Sequence, residues 1–476
     1  MSLSSSSFLA FIALVVIGYH LTTSVAYRRS IMTLANAAFI ASYVGGIGQM
    51  LPLVGFLLLG YIALQAVRSR PGGVVLAVGI AVVLAAYVIL KRFSFIENVV
   101  QLPFPYLIVG LSYILFRVVH LMVDARAGDL PNGIGPLAFF RYTCNFLCFV
   151  SGPIQRYQDF APMDGVEMAP LDADRVYAAF ARVVAGYIRF AVVAEAADYV
   201  YLTLRPHLFA TGPMLWVLFA ICAAAYTAYL YLNFSGYMDI VIGIGMLLGM
   251  SLPENFDRPF SARSFLEFWQ RWHMTLSEWF KLYVFTPLMM RLMTRWPSAE
   301  LTAYLGVFAF FVTFLIMGVW HGSTMVFVIY GLLMGAGASG NKLWQIFCAE
   351  RLGRKRYRAL SQTPAYVYLA RGLTFSYFTV ALTCLWEPEL SQYLALAGRL
   401  GAIGICAAFV VLALGFALGA LIFDAGWGWV RTRAGSLPVL PGALIYRNIG
   451  LAVCILAVLM ITSLFNNAPE FVYKAF

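Results

Sequence analysis

Residues 74–91 read VVLAVGIAVVLAAYVILK, an apolar run that meets its first charge only at Lys91. Nothing in it alternates with period two, so it does not read as a half-buried strand. Wound as a helix it would be about 27 Å long, close to the thickness of a bilayer's hydrocarbon core. Outward from it the chain keeps the same character. Further spans are expected near 8–27, 31–48, 50–67, 104–123, 135–152, 174–203, 213–233 and 236–251. Others are expected near 264–290, 300–320, 323–345, 365–386, 401–424 and 446–466.

The composition agrees. Of 476 residues 62% are hydrophobic and 11% charged, with a mean hydropathy of +0.83. A soluble chain carries about a quarter charged residues, so lipid must cover this surface. In hydrocarbon every backbone polar group has to be bonded within the chain, which leaves helices or a closed barrel. Long runs without alternation choose helices. The expected fold is therefore all-α: a polytopic integral membrane protein, one membrane domain over 1–476, with about 11–15 transmembrane or re-entrant helices. The sequence around Ser151-Gly152-Pro153 breaks its helix and is expected to lie at depth only under a cover of protein. Phe8 to Tyr27 reads as a retained first span, since no basic n-region or small-residue cleavage site accompanies it.

The net charge is +11. Its cations cluster in short connections, at Arg28–Arg29, Arg68–Arg70 and Arg351–Arg358, the pattern of loops held on the cytoplasmic side. This points to a membrane lipid surface as partner and away from nucleic acid. The seven cysteines lie mostly in apolar segments, and Cys144 and Cys148 are four apart. Without CxxC or HExxH spacing, neither a disulfide framework nor a metal site is expected.

Residues 233–345 carry polar groups that an ordinary span does not. They open Asn233-Phe234-Ser235-Gly236-Tyr237-Met238-Asp239, followed by Pro253-Glu254-Asn255-Phe256-Asp257-Arg258-Pro259-Phe260. Next comes Glu267-Phe268-Trp269-Gln270-Arg271-Trp272-His273-Met274-Thr275-Leu276-Ser277-Glu278-Trp279-Phe280-Lys281. On one continuous helix Glu267, Arg271, Glu278 and Lys281 would share a side, with Glu267–Arg271 a structural ion pair. His273 would lie among Trp269, Leu276 and Phe280 on another. A later run ends Met317-Gly318-Val319-Trp320-His321-Gly322-Ser323-Thr324. Gly322 is expected as the left-handed residue closing that helix, with Ser323 or Thr324 capping the next. His321 then sits at a break between two apolar helices, where an ionisable group marks a functional site by default. His20, His120 and His207 read as interfacial or core residues.

These runs together resemble the bacterial branch of the membrane-bound O-acyltransferase family, which includes alginate O-acetyltransferases and teichoic-acid D-alanyltransferases. The matching pieces are Ser235-Gly236-Tyr237-Met238-Asp239, Pro253-Glu254-Asn255-Phe256, Phe268 to His273 with Leu276-Ser277 and Trp279-Phe280, and Gly318-Val319-Trp320-His321-Gly322. Gly110-Leu111-Ser112-Tyr113, Phe116-Arg117 and Ser151 to Tyr157 add to them, and the resemblance covers about residues 104–345, the expected catalytic core of a helical bundle.

The resemblance implies transfer of a short acyl group from a cytoplasmic thioester to a hydroxyl, for modification of an extracytoplasmic polysaccharide. Pro287-Leu288 is followed by Met289-Met290-Arg291, nearer the D-alanyl relatives. Acetyl is expected first and D-alanyl second, with acetyl-CoA or an acyl carrier protein thioester as donor and no bound cofactor. His321 matches the family's hallmark histidine and is expected to be the general base. His273 matches a second polar site that would polarise the carbonyl or orient the acceptor. Trp320 is expected along a tunnel, with Asp239, Asn255, Trp272, Arg271 and Glu267 in support. The chain end, Phe471-Val472-Tyr473-Lys474-Ala475-Phe476 within the tail 467–476, resembles a motif in which a tyrosine takes the acyl group in transit; Tyr473 would be that acceptor or an interfacial anchor. An extracytoplasmic hydrolase-like acyl-transfer protein is the implied partner, and a bacterial inner membrane the implied location. A transporter or flippase for an envelope polymer precursor is the alternative; it leaves the histidine motifs without a purpose.

Overall fold

The computed structural model describes residues 5–96, 104, 106, 108–131, 133–166, 171–209, 214–434, 449–453, 455–456 and 460. The span expected at 446–466 lies largely outside these residues, and Tyr473 wholly so. The described residues are helical with no strand; an isolated bridge pairs Phe256 with Trp272. Among them six helical stretches are long and apolar enough to cross a membrane: Ile47–Ser69, Gly73–Lys91, Ala173–Phe209, Leu215–Leu247, Ala299–His321 and Leu390–Val430. The chain is a polytopic membrane protein.

Several expected boundaries move, each for a local reason. The first helix is Ser6–His20 and does not run on to Tyr27, because the Ser24 hydroxyl accepts from the Tyr27 amide and starts a second helix, Val25–Ala41. The two spans expected at 213–233 and 236–251 are one helix, Leu215–Leu247. Gly236 does not break it but brings it close to a neighbour. A Cβ there would lie 2.7 Å from the Gly186 carbonyl, so small residues let the two backbones touch. The span expected at 135–152 is helical only over Pro136–Thr143.

The contacts divide the chain into two compact units, one of Met1–Val193, Leu232–Glu254 and Leu451–Phe476, the other of Ala194–Tyr231 and Asn255–Gly450. In the first, the backbone after Thr143 is buried but not helical, so its carbonyls need donors from elsewhere. Arg117, itself buried, donates to Thr143 O and Cys148 O, both at 2.7 Å. The Tyr142 hydroxyl donates to Gln155 O at 2.7 Å, and His120 Nε2 accepts the Tyr157 amide at 3.0 Å. Arg156 then pairs with Asp124 at 2.8 Å. Gly152 is required by space, since a Cβ would come within 2.4 Å of Cys148 Cα. The Ser151 to Arg156 run is thus a largely buried, non-helical segment whose polar backbone is held by protein.

In the second unit Ala299–His321 and Met325–Leu352 form a tight antiparallel pair. Glycines make the approach. A Cβ on Gly318 would lie 2.1 Å from Gly331 Cα, and one on Gly335 2.9 Å from Phe311 O. Such contact is how helices gain packing where lipid removes any hydrophobic drive between them. Beside it is an aromatic cluster in which Phe268 meets Phe378 at 4.4 Å and stacks on Trp272 at 5.4 Å.

Gly318→Val forces these two backbones apart, because its Cβ would meet another backbone and not a movable side chain. The expected outcome is loss of monodisperse, folded protein in detergent, read by size-exclusion profile and thermal melting. A variant that elutes and melts like the wild type would show that the helices do not depend on this contact.

Candidate active site

The helix expected to carry His273 is interrupted. Phe265–Trp269 and Met274–Phe280 are separate helices, and between them the chain turns. His273 itself has φ +45°, the left-handed region that only a few per cent of non-glycine residues enter. The single wheel through residues 266–281 is therefore corrected. The Glu267–Arg271 pair still forms, at 3.1 Å, because it spans only the first helix and its last turn.

Arg271 explains how the turn is held. It also reaches Asp257 Oδ2 at 3.1 Å, while its carbonyl accepts the Asp257 amide at 3.0 Å. The Met274 amide donates to Asn255 O at 2.9 Å, and Phe256 bridges Trp272. The extended run 255–257 is thereby fastened against the turn, and Asn255 comes beside His273.

The hydrogen bonds fix the chemistry of both imidazoles. The Thr275 amide donates to Asn255 Oδ1 at 3.1 Å, which makes that atom the amide oxygen. The Thr275 hydroxyl donates to the same oxygen at 2.9 Å. His273 Nδ1 lies 3.2 Å from it, and an amide oxygen only accepts, so Nδ1 carries the hydrogen. His321 ends its helix with Nδ1 2.6 Å from Met317 O, and a carbonyl likewise only accepts. In their neutral forms both histidines therefore carry Nε2 as the unprotonated nitrogen. His273, outside the six long apolar helices, is held well below the usual imidazole range by burial and then by the charge of His321. That interaction brings the two histidines into one electrostatic site.

Trp320 and Tyr330 stand edge-on to His321, with ring centres at 4.9 and 5.5 Å. Gly322 is extended, with φ −159°, and so is not the left-handed terminator expected. It is glycine because a Cβ would overlap the Phe327 ring at 2.1 Å. Thr324 begins the next helix, but its side chain makes no cap. Its hydroxyl donates to Pro388 O at 2.6 Å instead.

Asp239 belongs to the first unit. It pairs with Arg182 at 3.0 Å and Arg189 at 2.6 Å. Sequence reasoning passed over Thr275, Tyr330 and Glu387. Glu387 is completely buried and takes Arg205 at 2.7 Å, one residue from the carbonyl that receives Thr324. A carboxylate directly after an apolar span and Trp386 was the available signal.

The model of the membrane-bound O-acyltransferase family matches residues 104–378. A protein named probable alginate O-acetylase, from Pseudomonas fluorescens, is 28% identical over 70% of this chain and 65% of its own length. Teichoic acid D-alanyltransferase of Bacillus subtilis is 30% identical over 47% of this chain and 56% of its own. That of Streptococcus thermophilus is 30% identical over 49% and 57%. The chain thus spans less than two thirds of the length of each of these three curated relatives. Since the family's model covers more than half of it, the chain belongs to the membrane-bound O-acyltransferase family.

Proposed function

We propose that this chain transfers a short acyl group from a cytoplasmic thioester to a hydroxyl, supplying acyl groups to an extracytoplasmic polysaccharide of a bacterial envelope. Acetyl from acetyl-CoA is the first reading and D-alanyl from a carrier protein the second, as the names of both kinds of relative suggest. The observation that carries the proposal is the pair of buried histidines whose Nδ1 atoms are both committed as donors.

In this reading His321 Nε2 takes the proton of the acceptor hydroxyl as its oxygen attacks the thioester carbonyl. The tetrahedral intermediate collapses, the C–S bond breaks, and the leaving thiolate recovers the proton from His321. The charge held meanwhile on His321 lies at the carbonyl end of its helix, the favourable end for a cation. Of the two roles expected for His273, its tautomer supports the second. A neutral Nε2 accepts a hydrogen bond, so it can orient the acceptor hydroxyl but cannot polarise a carbonyl. Tyr473 as first acceptor fits this chemistry, since a phenyl ester is itself a good donor to the next hydroxyl. An extracytoplasmic partner resembling a hydrolase would then carry the group to the glycan.

Two outcomes test the proposal. His321→Ala, at wild-type protein level, removes the base and lowers ester content of the host's surface polysaccharide, with a fall in rate of roughly 10²–10⁴-fold in vitro. The lost ester names the acyl group, and parallel loss in Tyr473→Phe supports the relay. Esters that persist unchanged in His321→Ala reject the general base. The second outcome concerns pH. His273 stays neutral well below the ordinary imidazole range, so a single ionisation, that of His321, should govern the acid limb. Log kcat/KM then falls by one unit per pH unit. A slope of two would mean that both histidines titrate together.

A further inference from the structure

A thioester carbonyl under attack becomes an oxyanion, and that oxygen needs a hydrogen-bond donor. Neither histidine offers one in the neutral state, since both Nδ1 hydrogens are committed and both Nε2 atoms are lone pairs. Asn255 is differently placed. Its Oδ1 accepts from the Thr275 amide, the Thr275 hydroxyl and His273 Nδ1, which fixes the orientation of the amide. Its Nδ2, with two hydrogens, is buried in a side chain only 1% exposed and has no partner among the described residues. A buried donor left unmade costs about 1–3 kcal/mol, and such groups in native structures call for an explanation. The left-handed backbone at His273 adds strain at the same place, and strain of this kind collects at functional sites.

We infer that Asn255 serves the reaction at both ends of its amide: Oδ1 positions His273, and Nδ2 donates to the oxyanion formed from the thioester carbonyl. The inference rests on the acyl-transfer reading above. In the step itself the hydroxyl proton passes to His321 and the C–O bond forms. The carbonyl π pair moves onto oxygen beside Asn255 Nδ2, and on collapse the C–S pair leaves on sulfur. The amide exchanges no proton.

Asn255→Asp separates the two ends, because it keeps an acceptor beside His273 and Thr275 and replaces the donor by an acceptor. The full chain in lipid nanodiscs is assayed for thiol release from acetyl-CoA and from a D-alanyl carrier-protein thioester, beside His321→Ala. Asn255→Asp is expected to lower kcat by about 10²–10³-fold with KM nearly constant, as for loss of one oxyanion donor. Its carboxylate, set beside the imidazoles, should also favour their protonated forms and move the acid limb of the pH profile upward. An Asn255→Asp enzyme within threefold of wild-type kcat and with an unmoved acid limb, while His321→Ala is inactive, overturns this inference and leaves the acyltransferase reading standing. Equal rates in wild type and His321→Ala overturn that reading and this inference with it. Should Asn255→Asp not fold, Thr275→Val removes one of the three bonds to Oδ1 at constant size. A several-fold drop in kcat is then expected, and an unchanged kcat overturns the inference.

Discussion

A buried backbone carbonyl needs a hydrogen-bond donor, and where this chain leaves a helix in its interior another part of it supplies one. Arg117 does so for Thr143 and Cys148, and Tyr142 for Gln155. The extended run 255–257 meets the same demand by bonding to the turn at 271–274. These are the places where polar residues are brought into an apolar interior, and once there they are available for chemistry. The site follows from that demand: Asn255 is beside His273 because residues 255–257 found their partners in the turn that presents the histidine.

The same logic explains why the motifs were readable. Glycine at 318, 322 and 152 is needed for lack of space, arginine at 117 for its several donors, and proline and glycine at 152–153 for a segment that is not helical. Each leaves a mark in sequence, since no other residue type meets the requirement. The apolar runs were equally legible, because a run such as 74–91 has no other stable form in lipid. The breaks were harder. Asn233 to Asp239 looks like an interruption, yet the helix passes through it, with Gly236 against Gly186 and Asp239 paired with Arg182 and Arg189. Glu267 to Lys281 looks like one amphipathic helix, yet it is cut at His273. Local pattern decides neither case; partners distant in sequence do.

Polar contacts outside the motifs were the least visible. Thr275 reads as an ordinary small residue in an amphipathic helix, but its amide and hydroxyl hold the Asn255 oxygen. Thr324 reads as a cap, but its hydroxyl goes to Pro388, tying the turn after His321 to the loop that carries Glu387. The Glu387–Arg205 pair is lopsided. The carboxylate is fully buried, whereas about a third of the Arg205 side chain reaches solvent. Losing the arginine would strand a buried charge, while losing the glutamate would leave a cation that water can reach. A spacing rule contains none of this, since these partners lie 64 and 182 residues apart and meet only through the fold.

The two histidines are alike in tautomer and unlike in surroundings, and that difference suits a reaction that moves one proton. His321 hangs from the carbonyl of its own helix, at the end where a positive charge is favoured. His273 hangs from an amide oxygen already shared with two other donors, and burial and the charge of His321 oppose its protonation. When one imidazole is charged the other is kept neutral. Hydroxyl attack on a thioester releases a single proton from oxygen and returns it to sulfur, so a second protonated group would have nothing to deliver and would repel the first. A neutral His273 instead leaves a lone pair facing whatever hydrogen-bond donor enters. In the proposed reaction the first would carry the proton and the second hold the hydroxyl that gives it up.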